Sequence, residues 1–83
     1  MPQKTITKAD LFDALRIANH RRRLLRRQAV NACRDYKANL ETPRIIRDAL
    51  RTAYYKRARE AFTAQEEFEH ILQIILGPED TAQ

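Results

Sequence analysis

The sequence predicts an all-α protein: an antiparallel two-helix hairpin that dimerises into a four-helix bundle. Two long stretches, residues 8–40 and 43–76, carry apolar residues at helical spacing and contain no Gly and no internal Pro. Only Glu41 and Thr42 separate them. Two helices of nearly equal length joined by so short a link must fold back on each other.

The predicted hairpin is a single domain over residues 1–83, with flexible ends at 1–6 and 78–83. No apolar run approaches the roughly 20 residues that a membrane span needs. No signal peptide is visible at the N-terminus. The single cysteine, Cys33, has no internal partner and is typical of a buried residue in a reducing compartment. We therefore expect a cytoplasmic protein with no membrane partner.

The first helix begins at a capping box, because Thr7 is a strong N-cap and Asp10 lies three residues later. Its apolar residues recur at alternating spacings of four and three, which is the pattern of a helix packed along one seam. The seam comprises Leu11, Leu15, Ala18, Arg22, Leu25, Ala29, Ala32, Tyr36 and Leu40. Any break in this helix is expected at Asn19-His20, where the charge density rises.

The second helix has its own start and stop signals. Thr42 is expected to cap it, and Pro43 suits its first position because no intrahelical N–H bond is lost there. Gly77 and Pro78 form the expected stop. The acids and bases of this helix run against its dipole, which favours acids near the start and bases near the end.

A symmetric turn fixes a predicted register between the helices. It pairs Arg22 with Ala61 and Ala29 with Tyr54, so that apolar residues meet along nearly the whole seam. Glu60 then lies beside Arg22 at the edge of the seam. We therefore predict an Arg22–Glu60 salt bridge that helps to fix the register.

More apolar residues are present than one seam can bury. Ile17 and Leu24 lie one heptad apart on the far side of the first helix, and Ile71, Ile74 and Ile75 crowd the end of the second. A lone two-helix hairpin rarely buries enough apolar surface to offset the entropy of ordering its chain. These five residues are therefore the predicted apolar partner-binding site, used in a homodimer or against another protein.

The charge is concentrated in the middle of the chain. Residues 16–59 hold fourteen Lys and Arg against three acids, although the whole chain is only +5. Acidic residues collect instead at the predicted free end of the hairpin. Positive charge at this density favours an anionic partner, through phosphates or carboxylates. The predicted basic site comprises Arg21, Arg23, Arg26, Arg27, Lys56, Arg57 and Arg59.

No set of residues indicates catalysis or a cofactor. The chain has no Ser/His/Asp set, no Cys/His pair in register and no glycine-rich phosphate loop. Glu67 and His70 have the spacing that di-metal carboxylate bundles use. They lie off the apolar stripe, however, and the first helix offers no Glu at that level. We expect neither an enzyme, nor a cofactor, nor a metal site.

Two functions fit these observations. The first is a non-enzymatic helical protein-interaction module, meaning an adaptor, chaperone or inhibitor that docks on a larger protein with an acidic surface. A phage or mobile-element accessory gene would suit such a chain. The second is an arginine-rich hairpin that binds the backbone of RNA or DNA. In architecture the chain resembles the hairpin-dimer RNA-binding protein Rop and the small hairpin co-chaperones of type III secretion, a likeness of fold that does not fix function.

Overall fold

Two helices packed against each other form the protein, as the sequence predicts. The computed structural model describes residues 6–77, and the remaining parts of the predicted flexible ends lie outside this range. Helix α1 spans Lys8–Ala38 and helix α2 spans Arg44–Leu76. Helix α1 is uninterrupted at Asn19-His20, so the helix has no break there.

Helix α1 starts at the predicted capping box. The Thr7 hydroxyl accepts a hydrogen bond from the backbone N–H of Asp10, and the Asp10 carboxylate accepts one from the backbone N–H of Thr7. Helix α2 ends at Gly77, whose φ of 90° lies in the region that favours glycine. Its N–H donates to the carbonyl of Gln73, which satisfies one of the last helical acceptors.

The link differs from the prediction at Thr42. Helix α1 ends two residues earlier than expected, and Asn39 is its C-cap. The Thr42 hydroxyl donates to the Asn39 carbonyl at 2.6 Å instead of capping helix α2. Pro43 stands at the N-cap of α2 with no side-chain cap bond. Arg47 ties the link to α2 by donating to the Leu40 carbonyl at 3.2 Å.

The predicted seam lies on the correct face of α1, but the predicted register between the two helices is wrong. All the predicted seam residues from Leu11 to Tyr36 are buried or half-buried. Arg22 contacts Gln65 rather than Ala61, which shifts the pairing by about one helical turn. The predicted Arg22–Glu60 salt bridge is therefore wrong, and Glu60 pairs with Arg57 at 3.0 Å. The first turn of α2 consequently has no facing turn on α1, and Ile45 is 85% exposed.

The hairpin has almost no interior. Among the described residues, only Ala18 and Ala64 are buried, at 7% and 3% exposure, and no large side chain is fully buried. These two alanines let the helices approach closely near the middle of the seam. Large apolar side chains remain exposed elsewhere on both helices.

Candidate protein-interaction surfaces

The outer face of α1, opposite the seam, carries two of the predicted apolar residues. Ile17 and Leu24 are 60% and 46% exposed there. Beside them lies a shallow cavity of about 340 Å³. Its lining is mostly cationic and consists of Arg16, Asn19, His20, Arg23, Leu24 and Arg27. The outer face therefore presents two apolar side chains next to a basic stripe.

A wider groove follows one side of the seam, and we call it the cationic groove. Its volume is about 630 Å³, and its lining includes four bases but no carboxylate. Its apolar residues are Val30 and Phe62, both exposed, with small residues of the seam between them. The lining consists of Arg22, Arg26, Ala29, Val30, Cys33, Arg34, Lys37, Tyr54, Ala58, Ala61, Phe62 and Gln65.

A smaller groove, which we call the narrow groove, lies on the other side of the seam. Its charged lining residues are two arginines, Arg21 and Arg59, and two acids, Glu60 and Glu67. Its volume is about 300 Å³. Arg21 pairs across it with Glu67 at 3.4 Å, and Glu60 is held by Arg57 at its edge. The two acids of this groove therefore have cationic partners, and Arg59 is its one lining base with no salt bridge among the described residues.

The apolar residues at the free end are divided between two environments. Ile71 and Ile75 are half-buried along the seam, whereas Ile74 is exposed. Ile74 and Ile75 line a cavity of about 310 Å³ together with Lys8, Leu11 and Phe12. The predicted Ile71–Ile75 patch is therefore partly a contact between the two helices and partly open surface.

The predicted basic site is spread around the hairpin rather than gathered on one face. Arg21 and Arg59 lie on the narrow groove, Arg26 lines the cationic groove, and Arg23 and Arg27 lie on the outer face. Lys56 is exposed on α2, and Arg57 is engaged with Glu60. Among the described residues of this site, Arg23, Arg26, Arg27, Lys56 and Arg59 form no salt bridge within the chain. Their charge is the part that remains available to a partner.

Arg22 sits in the seam in an unusual setting. Its guanidinium carbon lies 4.2 Å from the centroid of the Phe68 ring, and Nη1 donates to Gln65 at 3.4 Å. Its Nε is buried without a hydrogen-bond acceptor among the described residues, and the Oδ1 atom of Asn19 is buried without a donor. A buried donor without an acceptor is costly. The stem of Arg22 thus packs while its head is only partly satisfied.

Three tyrosines cluster in the turn half of the hairpin, and one of them, Tyr54, lines the cationic groove. Tyr36 stacks on Tyr54 across the seam with centroids 6.4 Å apart, and Tyr55 lies 5.5 Å from Tyr54. Hydrogen bonding to Cys33, followed by charge repulsion from that side chain and partial desolvation, raises the pKa of Tyr54. The Tyr54 hydroxyl therefore stays protonated to a higher pH than usual.

The predicted charge conflict on α2 is present. Within the described residues its first turn holds no acid and its last turn no base. Arg44 is offset by Asp48, which lies one turn along the helix at 3.5 Å. Glu67, considered above as half of a metal pair with His70, is instead engaged by Arg21. In residues 6–77 no group of three His, Cys, Asp or Glu side chains is placed to hold a metal ion.

Of the twelve residues that line the cationic groove, only Arg26 was predicted as a site residue, and the exposed apolar pair Val30 and Phe62 was missed. Val30 follows the seam residue Ala29, and Phe62 follows Ala61, so both stand one position off the seam on the same side. That shared position next to the seam is the signal in the sequence that could have identified them.

Neither helix within the described range is both long and apolar enough to cross a membrane. No protein family, curated protein or solved structure matches the chain, so its function has to be inferred from the hairpin itself.

Proposed function

We propose that this hairpin is a non-enzymatic protein-interaction module that docks on a larger protein with an acidic surface. The observation that carries the proposal is the outer face of α1, where Ile17 and Leu24 are exposed one heptad apart. Arg23 and Arg27 stand beside them with no salt bridge to any described residue. Apolar anchors flanked by free cations suit a partner surface that is apolar at its centre and acidic around it.

The proposal includes self-association of the hairpin into a four-helix bundle. Its support is the near absence of an interior, since only Ala18 and Ala64 are buried among the described residues. Exposed apolar residues on more than one side of the hairpin are consistent with two interfaces. One interface would join two copies, and the other would meet the target.

A nucleic-acid backbone is the second candidate partner. The cavity on the outer face favours it, because Arg23 and Arg27 line it and form no salt bridge with any described residue. The third arginine of this cavity, Arg16, pairs with Asp13 at 3.2 Å. Cations without partners in the protein can neutralise phosphates and release counterions. Such binding would not need Ile17 or Leu24.

A tagged pull-down from host lysate tests the proposal, with half of the lysate treated with nuclease and both halves washed at about 200 mM salt. We expect a stoichiometric acidic protein that survives nuclease and salt. Ile17→Ser with Leu24→Ser should abolish its recovery, because both apolar anchors are lost. Arg23→Ala with Arg27→Ala should weaken recovery mainly by slowing association, and less so as salt rises.

Recovery of nucleic acid alone, with all protein lost after nuclease, would overturn the docking proposal. In that case Arg23→Ala with Arg27→Ala should be the damaging pair. The Ile17→Ser and Leu24→Ser pair should then have no effect on binding. The wild-type complex should also weaken by orders of magnitude between about 50 and 200 mM salt.

A further inference from the structure

We propose that a second copy of this chain covers the cationic groove, with the two-fold axis running along the length of the hairpin. The inference rests on the self-association part of the proposed function and adds its surface and its arrangement. It leaves the outer face of α1 free for the docking partner.

The groove side carries large exposed apolar side chains from both helices. Phe62 is 64% exposed near the middle of α2, and Val30 is exposed on the facing part of α1. Tyr55 lies two turns from Phe62 on the same side of α2 and is exposed as well. A stripe of large side chains at helical spacing is what a bundle interior requires. Covering this groove therefore supplies the interior that the single hairpin lacks.

The charges of the groove side are complementary between its two helices. Helix α1 contributes the bases Arg22 and Arg26. Helix α2 carries Glu69, whose carboxylate accepts a hydrogen bond from Gln65 at 3.1 Å, and Glu66, one turn beyond Phe62. Because Gln65 lies at the level of Arg22, Glu66 stands at about the same height as Arg22. Glu69 lies about one turn nearer the free end, and Arg26 lies about one turn nearer the link.

A two-fold axis along the hairpin exploits this complementarity. It lays α2 of each copy against α1 of the other at the same height, as a closed interface in which each contact occurs twice. Glu66 of the second copy then lies opposite Arg22, with Glu69 one turn beyond it. Phe62 of the second copy lies opposite Arg26, about one turn from Val30. Neighbouring helices are antiparallel throughout, as in ordinary four-helix bundles.

The other face-to-face arrangement is less favourable on this surface. A two-fold axis across the hairpin would set α1 against α1. Among the residues that line the groove, the charged contribution of α1 is Arg22, Arg26, Arg34 and Lys37. Like charges would therefore face each other across the interface, which is destabilising. The charge distribution thus selects the axis along the hairpin.

Sedimentation equilibrium across a concentration series of the full chain tests the interface. We expect a dimer in the wild type. Phe62→Ser should raise the dimer dissociation constant about a hundredfold or more. Each contact occurs twice in a two-fold interface, so the substitution removes the Phe62 contact at two places. Glu66→Lys with Glu69→Lys should also weaken the dimer without removing any apolar group. This pair keeps the test valid should Phe62→Ser fail to fold, which circular dichroism would reveal.

Ile17→Ser is the matched control, since it removes an equally exposed apolar residue from the outer face. It should leave the dimer unchanged and abolish docking on the target, so failure of the dimer and failure of the docking proposal give different results. A wild-type monomer at every concentration would overturn the inference. So would a dimer that tolerates both groove variants, or one that Ile17→Ser dissociates.

The direction of the axis is tested by spin labels at the turn end. Ile45→Cys provides an exposed labelling site, and Cys33→Ala removes the native thiol. With the axis along the hairpin, the labels should lie within about 30 Å of each other, because packed helices are only about 10 Å apart. An axis across the hairpin would separate them by a distance approaching the helix length of about 50 Å. The longer distance would overturn the arrangement.

Discussion

Replacing Arg22 by Met removes the charge from the middle of the seam and keeps most of the length of the side chain. In the native hairpin the stem of Arg22 packs along the seam, while its guanidinium contacts the Phe68 ring and Gln65. Its Nε is buried without an acceptor among the described residues. The substitution therefore removes two favourable contacts and one unfavourable burial.

The two contacts that are lost are weak ones. A long hydrogen bond from Arg22 to Gln65 is worth about 0.5–1 kcal/mol, and a half-exposed contact with the Phe68 ring is worth about 1 kcal/mol. Removing the buried Nε, which has no acceptor, should stabilise the folded hairpin by about 1–3 kcal/mol. A Met sulfur against Phe68 adds about 0.3–1.5 kcal/mol. We expect Arg22→Met to raise the free energy of unfolding by about 1 kcal/mol at the midpoints of these ranges.

Urea unfolding followed by circular dichroism measures this change at a protein concentration below that at which the proposed dimer forms, because the dimer would give Arg22 a further contact with Glu66 of the second copy and would add to the apparent stability. Arg27→Met is the control, since Arg27 lies on the outer face and should change stability by less than about 0.5 kcal/mol. A loss of more than about 1 kcal/mol in Arg22→Met alone would refute this reasoning. Arg22 would then contribute net stability through its ring contact.

Three further predictions concern the ends of the helices and the aromatic cluster. Thr7→Ala should lower the free energy of unfolding by about 1 kcal/mol, because it breaks the capping box with Asp10; urea unfolding measures it. Gly77→Ala should cost about 1–3 kcal/mol or unwind the last turn of α2, because a Cβ is strained at that φ and ψ; amide chemical shifts distinguish the two outcomes. Cys33→Ala should lower the pKa of Tyr54 toward its ordinary value, which NMR of labelled tyrosine reports. Since the native pKa of Tyr54 is raised, its contribution to stability is present at neutral pH and is lost as pH rises through that pKa.

Each of these predictions has a result that would contradict it. An unchanged unfolding midpoint in Thr7→Ala would mean that the first turn of α1 contributes nothing to the cooperative transition. Identical shifts and stability in Gly77→Ala would show that the end of α2 tolerates a side chain at this φ. A Tyr54 titration that does not move in Cys33→Ala would assign the raised pKa to desolvation or to Tyr55 instead.

The face of each helix was predictable because burial repeats with the helical period. The register was not, because a slip of about one turn moves apolar residues onto other apolar residues of the same stripe. Arg22 meets Gln65 rather than Ala61 for this reason. The prediction placed the midpoint of a symmetric turn between the helices. The actual link is asymmetric, since Thr42 bonds back to Asn39.

The surfaces were only partly predictable for a related reason. Ile17 and Leu24 lie opposite the seam whichever register the helices adopt, so the pattern alone places them outside. The cationic groove is formed by side chains from both helices, such as Val30 and Phe62. Which residues meet there depends on the register and on the side toward which α2 turns. The periodicity of one helix predicts neither the register nor the side toward which α2 turns.

The five-residue link between α1 and α2 also has a kinetic consequence. Contacts beside the link close a very small loop, whereas those between Leu11 and Ile75 join nearly opposite ends of the chain. Folding should therefore proceed like a zipper from the turn, with each pair of turns lowering the entropy cost of the next. Hydrogen exchange should show the reverse order, with the amides at the free end opening first. The acidic end of the hairpin would then be its most easily reorganised part, and the basic half its folding nucleus.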